Sequence, residues 1–351
     1  MSDMRDMFVD TATRLFRDHC TPELLRAAAG GAFQAGLWDA MTEAGLTRAA
    51  AAEDFGGSGA DLADALALLV PAGAWSVPAP LAETLIAAHL LGEAGVAAPD
   101  APLTIAVPRE GETLTARMDD GGWRIDGAVA RVPYARNAAG GVVAVARGPE
   151  GPVAALVPLA HVSLSHAANL AREPRDDVRF DGALAEAAGA IPHDAADVWA
   201  MGAAARSAQM AGAMQTILKL SVQYAQERSQ FGKPLGKFQA IQHSLATLAS
   251  QAAAATAAAD AAIESAHQGA GALAVAAAKA RVGEAASIGC GIAHQVHGAI
   301  GFTAEHPLHF STQRLWSWRD EFGNDVYWQT KLGDRAVAAG ADGLWAMLTA
   351  A

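Results

Sequence analysis

One short segment concentrates groups that grip anions. It reads Glu227-Arg228-Ser229-Gln230-Phe231-Gly232-Lys233-Pro234-Leu235-Gly236-Lys237-Phe238-Gln239-Ala240-Ile241-Gln242. An arginine closes a long helical stretch, a Gly/Pro connection follows, and glutamines open the next helix. The corner therefore gathers a permanently charged fork, backbone N–H groups left over at a helix start, and amide donors. Such a corner suits a pyrophosphate. A helical hairpin whose arginine merely faces a helix C-terminal dipole fits the same residues. His294, His297, His306 and His309 form two pairs spaced three apart, which raises metal binding. Zinc also wants Cys or acidic partners in a closed set, so these are expected to be solvated or core-edge histidines, with no metal.

The elements that must position these groups fall into three stretches. Residues 1 to about 100 read as helical. Phe8, Thr11, Leu15 and Phe16 form one stripe and Leu37, Trp38 and Met41 another. The Gly-rich Glu53-Asp54-Phe55-Gly56-Gly57-Ser58-Gly59 is a loop. Asp61 starts a helix that Pro71 and Gly73 are expected to end, and Leu81 to Leu91 forms a further helix. Residues 101–192 change period: Leu103 to Val107, Trp123 to Ile125, Gly141 to Ala146 and Val153 to Val157 read as short strands. Residues 193–351 return to helix, about Asp194 to Arg228, then from Phe238, then about Leu273 to His297, with two more over 306–320 and 324–349. Phe238, Ile241, Leu245 and Leu248 are spaced three, four and three, a stripe expected to be buried in an antiparallel bundle. The expected fold class is α+β, mostly α: an N-terminal helical domain, a small β-barrel or sheet domain, and a C-terminal four-helix bundle.

Composition narrows the function. With 351 residues, 52% hydrophobic and 18% charged, the chain can bury a large core. The net charge of −12 and the lack of a Lys/Arg block argue against nucleic acid. Two distant cysteines, Cys20 and Cys290, make no disulfide framework, and a reducing cytoplasm is the expected location. Residues Met1 to Asp10 lack an apolar core, so no signal peptide is expected, and no stretch reads as a membrane span.

The Arg-x-Gln-Phe-Gly segment at Arg228 resembles that of the acyl-CoA dehydrogenase family. A second stretch, Gln295-Val296-His297-Gly298-Ala299-Ile300-Gly301-Phe302, is similar to the family's Gln-x-x-Gly-Gly-x-Gly-Phe, with Ala299 replacing one glycine. Gly36-Leu37-Trp38 through Gly45-Leu46, then Glu53 to Gly57, is similar to the family's entry helices and Gly-Gly loop. The resemblance implies FAD as cofactor, an acyl-CoA substrate, and electron-transfer flavoprotein or a similar acceptor. Arg228 and Phe231 would contact the pyrophosphate and flavin side, with Gln239 nearby. Gln295 and Gly298 would hold the adenosine diphosphate end. In the family these contacts reach a flavin of the neighbouring subunit, so a homo-oligomer or a heteromer with a paralogous subunit is expected. The implied reaction is α,β-dehydrogenation: a carboxylate takes the α-proton while the β-hydride leaves for the flavin.

Two segments depart from the family pattern. Where the family has Thr-Glu-x-x-Ala-Gly-Ser-Asp and Trp-x-Thr/Ser-Asn over the flavin ring, this chain has Ala106 to Glu112 and Val132 to Asn137. The family's base, a Glu before Gly-Thr, would fall near Phe322 or Gly323; Glu321 is the expected base, with a salt-bridged or capping role as the alternative and Asp320 and Asp325 as the other candidate acids. The other base position used in the family, just before Arg228, holds Lys219 to Gln223 with no carboxylate. Three functions stay open: a working dehydrogenase of the fatty acid or steroid side-chain degradation type, a partner subunit that donates half of a flavin site to a paralogous chain, and a flavin-free helical interaction protein.

Overall fold

A computed structural model of the chain describes residues 3–349. The element order is helices, strands, helices, as expected. Contacts divide it into two compact units. The first holds the residues up to Leu68, Pro78–Gly202 and His267–Gly271; the second holds Leu69–Val77, Ala203–Ala266 and the chain from Ala272 onward.

In the first unit, α1 (Asp3–His19), α2 (Pro22–Ala29), α3 (Ala35–Glu43) and α4 (Leu62–Ala67) precede α5, which belongs to the second unit. Phe8, Ala12 and Phe16 bury one face of α1, the four-residue spacing that stacks side chains on successive turns. Asp61 caps α4 by accepting from the Asp64 N–H at 2.7 Å. Helix α6 (Leu81–Glu93) is buried along most of its length, which suits its uniformly apolar sequence. Its Thr84 hydroxyl accepts from the Leu103 N–H and donates to the Leu103 carbonyl, at 3.1 and 3.2 Å, fastening α6 to the first strand.

The strands are β1 (Leu103–Ala106), β2 (Leu114–Asp119), β3 (Gly122–Pro133), β4 (Gly141–Arg147), β5 (Pro152–Val157), β6 (Val162–Ser165), β7 (Arg175–Leu184) and β8 (Ala187–Ala190). They form one eight-stranded sheet in the order β6-β7-β3-β2-β4-β5-β8, with β1 beside β4. The continuous apolar run of β4 is buried on both faces, whereas β2 alternates buried and exposed residues at its start.

The second unit opens with α5 (Leu69–Ala74) and takes in most of α7 (Ala195–Glu227). Pro71 and Gly73, expected as helix terminators, lie inside α5 instead. Pro71 is the third residue of that helix, where its missing N–H would have been unpaired in any case. Gly73 lets the α5 backbone lie against α7: a Cβ at Gly73 would meet the Gln209 carbonyl oxygen at 1.8 Å, and one at Gly212 would meet the Val70 carbonyl oxygen at 1.9 Å. Gly212→Ala is therefore expected to lower stability by about 1–3 kcal/mol, read from urea unfolding; an unchanged midpoint would show that the two helices can separate freely.

A two-strand turn, β9 (Ser229–Gln230) with β10 (Lys233–Pro234), links α7 to α8 (Gln239–Ser265). Then come α9 (Leu273–His297), α10 (Leu308–Asp320) and α11 (Asp325–Thr349). The bundle core joins Met210, Met214 and Ile217 of α7, Leu248 and Ala255 of α8, Val282 and Cys290 of α9, and Leu315 and Trp318 of α10. Small residues dominate α8 and α9, so their axes approach closely. Of the stripe expected to be buried on α8, only Leu248 reaches this core. Phe238, Ile241 and Leu245 stay half-buried. Among the described residues, no helix is long and apolar enough to cross a membrane.

Candidate functional site

The two motif segments meet at one end of the bundle. The Tyr224 ring near the end of α7 stacks on His297 at the end of α9, with centroids 4.6 Å apart, and His306 packs against both. Arg228 follows Tyr224 by one helical turn, its N–H donating to the Tyr224 carbonyl at 2.9 Å. Gly298 follows His297 directly, and Gln295 precedes it by two residues.

The turn after Arg228 is built tightly. Phe231 and Gly232 both take positive φ, 48° and 79°, and the Leu235 N–H returns to the Arg228 carbonyl at 2.8 Å. Phe231 is 91% exposed, its ring touching only the edge of Phe238 at 6.3 Å. Lys233 sits over Phe238 at 4.3 Å. Helix α8 starts without a side-chain cap, leaving its first amides available to an anion. Arg228, Gln239 and Gln295 are exposed, and among the described residues the Arg228 guanidinium makes no ion pair or hydrogen bond. Gly298 ends α9 at φ 63°, where a side chain is strained, and a Cβ there would meet nothing of this chain within 4 Å. An unpaired guanidinium, uncapped amides, two free carboxamides and an open glycine are the groups a diphosphate needs.

Just beneath, the histidines expected at the core edge form a stacked cluster. His294 lies between Phe302 and Trp316, at 4.3 and 5.7 Å, and shares a hydrogen bond with the Thr312 hydroxyl at 3.1 Å. His297 Nδ1 donates to the Ala293 carbonyl at 2.7 Å, and its Nε2 is buried with no hydrogen-bond partner among the described residues. Burial holds His294, His297 and His306 below their ordinary value of 6.5, and like charge between neighbouring imidazoles adds to this at His294 and His306. A depressed imidazole binds fewer protons folded than unfolded, so its contribution to stability is present above 6.5 and is lost as pH falls through the folded value. Thermal unfolding between pH 7.5 and 5.5 is expected to show a falling midpoint, and His297→Gln to flatten the fall; a flat profile in the parent chain would contradict this arrangement.

Glu321, the expected base, ends α10. Its carboxylate accepts from Arg206 Nε at 2.7 Å, with side chains 9% and 2% exposed. Arg206 also donates to Gln209 at 2.7 Å. Lys279, wholly buried, donates to the carbonyls of Arg319 and Gly323 at 2.6 Å each, closing the turn around Glu321. Burial pushes this lysine down to about 7, with Glu321 and Asp320 opposing the shift. This is the salt-bridged environment that was the alternative for Glu321. Arg206 and Lys279 were not picked out from sequence; their one signal is a base that follows three alanines, Ala203-Ala204-Ala205-Arg206 and Ala276-Ala277-Ala278-Lys279. At the other base position, Ser221 is buried and donates to the Ile217 carbonyl at 2.7 Å. Asp325 is engaged by Arg319 at 2.9 Å. Trp318 packs into the bundle core and Trp316 against its edge. Cys290 is a buried apolar residue of the same core, its thiol pushed up to about 12 by burial.

In the first unit, the segment that departs from the family's Trp-x-Thr/Ser-Asn is occupied by its own partners. Tyr134 is buried, with the Arg175 guanidinium over its ring at 5.4 Å. Arg175 pairs with Glu173 at 2.9 Å, and Arg136 is bound to the buried Asp176 through both side chain and backbone. The burial of Asp176 is outweighed by these donors, which hold its carboxyl below the usual range.

Comparison with known proteins identifies the family. The model of the acyl-CoA dehydrogenase N-terminal domain matches residues 2–98, and that of the C-terminal domain matches residues 195–319. Acyl-CoA dehydrogenase IpdE2 of Mycobacterium tuberculosis is 30% identical over 313 residues, 88% of this chain and 90% of the relative. Its namesake in Mycolicibacterium smegmatis is 27% identical, over 90% and 93%. Among solved structures, a Tcur3481-Tcur3483 steroid ACAD variant superposes with a TM-score of 0.84 at 28% identity, covering 96% of this chain and 98% of that one. The ChsE4-ChsE5 complex from Mycobacterium tuberculosis shares the fold, with a TM-score of 0.82 at 23% identity and the same coverage. Both motif segments, the three-part element order and a relative aligned over nine-tenths of its length lead to one conclusion: the chain belongs to the acyl-CoA dehydrogenase family.

Proposed function

We propose that this chain works in an FAD-dependent acyl-CoA dehydrogenase as a partner subunit, donating the diphosphate-binding half of a flavin site to a paralogous chain. The observation that carries the reading is the Arg228 guanidinium, charged, exposed and without a partner among the described residues. An arginine at the end of one helix, with the uncapped start of the next helix beyond a short turn, is a preorganised half of an anion site. Arg228 would neutralise the diphosphate, Gln239 and Gln295 would donate amide hydrogen bonds, and Gly298 would let the backbone come close. Phe231 would cover the adjoining apolar surface of the cofactor. When bound, FAD supplies the two-electron acceptor for desaturation of the thioester.

The residues of the first unit support a division of labour. Donors at Tyr134, Arg136 and Arg175 are already engaged, which leaves that segment poorly suited to cradle a flavin ring. Glu321 is tied to Arg206, so the paralogous chain would provide the carboxylate that takes the α-proton. The fold shared with the ChsE4-ChsE5 complex supports a heteromer, and the steroid ACAD neighbour supports a bulky acyl group. Electron-transfer flavoprotein or a similar protein would then reoxidise the cofactor.

Purification of the chain alone and after co-expression with a paralogous subunit tests this. The expected result is a colourless chain alone, and a yellow, active assembly with the partner. A chain that carries one flavin and turns over acyl-CoA by itself would overturn the partner-subunit reading.

A further inference from the structure

A second cluster of chemistry-bearing side chains lies in the first unit, on residues that the flavin reading does not use. His89 and Glu93 stand one turn apart on α6, and His193 lies in the chain just before α7. The Oε1 atom of Glu93 is 3.2 Å from His193 Nε2 and 3.6 Å from His89 Nε2. The three ligand atoms lie within 4.8 Å of one another. In a tetrahedral zinc site with bonds of about 2.0–2.1 Å, neighbouring ligand atoms stand roughly 3.3 Å apart. The carboxylate is thus close to ligand spacing from both imidazoles.

Both Nε2 atoms converge on the same carboxylate oxygen. A cation between the three atoms would take each imidazole as a neutral ligand and the carboxylate as an anionic one. Two nitrogens and one oxygen are the donor set of a first-row divalent ion; calcium and magnesium ask for more oxygens. The side chains are 15–25% exposed, so an ion has an entry path and water can take the fourth position.

We propose that His89, Glu93 and His193 form a binding site for a divalent transition-metal ion of the zinc type, which staples the entry of α7 to α6. Asp194, next in the chain, caps α7 by accepting from the N–H groups of Ala196 and Asp197 at 2.8 and 3.0 Å. The staple therefore holds the start of the long helix in register. Its role is structural and separate from the flavin chemistry.

The test uses the full chain without an affinity tag, stripped with chelator and titrated with Zn²⁺ by calorimetry. Co²⁺ serves as a visible-absorbance probe of four-coordinate geometry. One zinc per chain is expected, with a raised melting temperature at saturation. His193→Ala and Glu93→Gln should each weaken binding at least about tenfold, since losing a ligand costs no less than losing a residue that orients one. His166→Gln, on an exposed histidine elsewhere, should leave it unchanged. Glu93→Gln keeps the side-chain shape and stands in should His193→Ala fail to fold. No zinc stabilisation in the parent chain, or undiminished binding in Glu93→Gln, would overturn the site.

Discussion

Glu321→Leu is expected to destabilise the second unit by about 3–5 kcal/mol, because it leaves the Arg206 cation buried with its carboxylate partner removed. Arg206 is 2% exposed, so water cannot replace the lost carboxylate, and the Gln209 amide oxygen at 2.7 Å brings no formal charge. Lys279 packs at the same turn, and Glu321 is one of the charges that oppose the burial-driven drop of its ammonium. Glu321→Gln keeps the shape and one acceptor and is expected to lose less, about 1.5–3 kcal/mol, the range for a hydrogen bond to a charged group. Chemical unfolding separates the two. The same pair of variants also addresses the reaction. In a co-expressed assembly, held below its unfolding transition, Glu321→Gln should turn over substrate at close to the parent rate. Removing a true base costs roughly 10²–10⁴-fold. A loss of that size with flavin content and melting temperature intact would return Glu321 to the role first expected of it.

Arg228→Gln is expected to release the flavin from the co-purified assembly. The substitution exchanges a charged, forked donor for a neutral amide. The charge-assisted bonds it removes are worth roughly twice neutral ones. At a site shielded between chains, losing one member of a charged pair costs about 2–5 kcal/mol, which corresponds to roughly 30-fold or more in affinity. The folded chain itself should be unaffected, since the guanidinium supports nothing within it. The flavin-to-chain ratio, together with the circular dichroism of the isolated chain, checks both halves. Arg228→Lys should recover only part of the affinity, because a point charge does not reproduce a bidentate fork. Full flavin occupancy in Arg228→Gln, with the assembly intact, would remove the central support for the partner-subunit reading.

Much of the architecture was legible before any coordinates. The change from a helical period to short alternating strands near residue 101, and back near residue 193, is local information, set by side-chain spacing and turn residues. The expected strand at Gly141 to Ala146 lies within β4, and the helix at Leu273 to His297 is α9. Both are long apolar or alanine-rich runs bounded by glycine, where propensity and burial agree. The motif corner was equally local: Arg228 and the Gly232-Pro234 turn are neighbours in sequence, so their closeness needed no tertiary contact.

What sequence alone determined, then, is the order of elements and the chemistry available at two helix ends. Only the tertiary structure decided which groups are already taken. Glu321 and Arg206 are 115 residues apart, and Arg136 meets Asp176 across 40. Such pairings depend on how helices and strands pack, which residue spacing along the chain does not encode. The same holds for Pro71 and Gly73, read as terminators but used inside α5 where that helix lies against α7, and for the convergence of His89, Glu93 and His193. A charged side chain looks the same in sequence whether it is waiting for a ligand or is already neutralised by its own chain; only three-dimensional packing distinguishes Arg228 from Arg206.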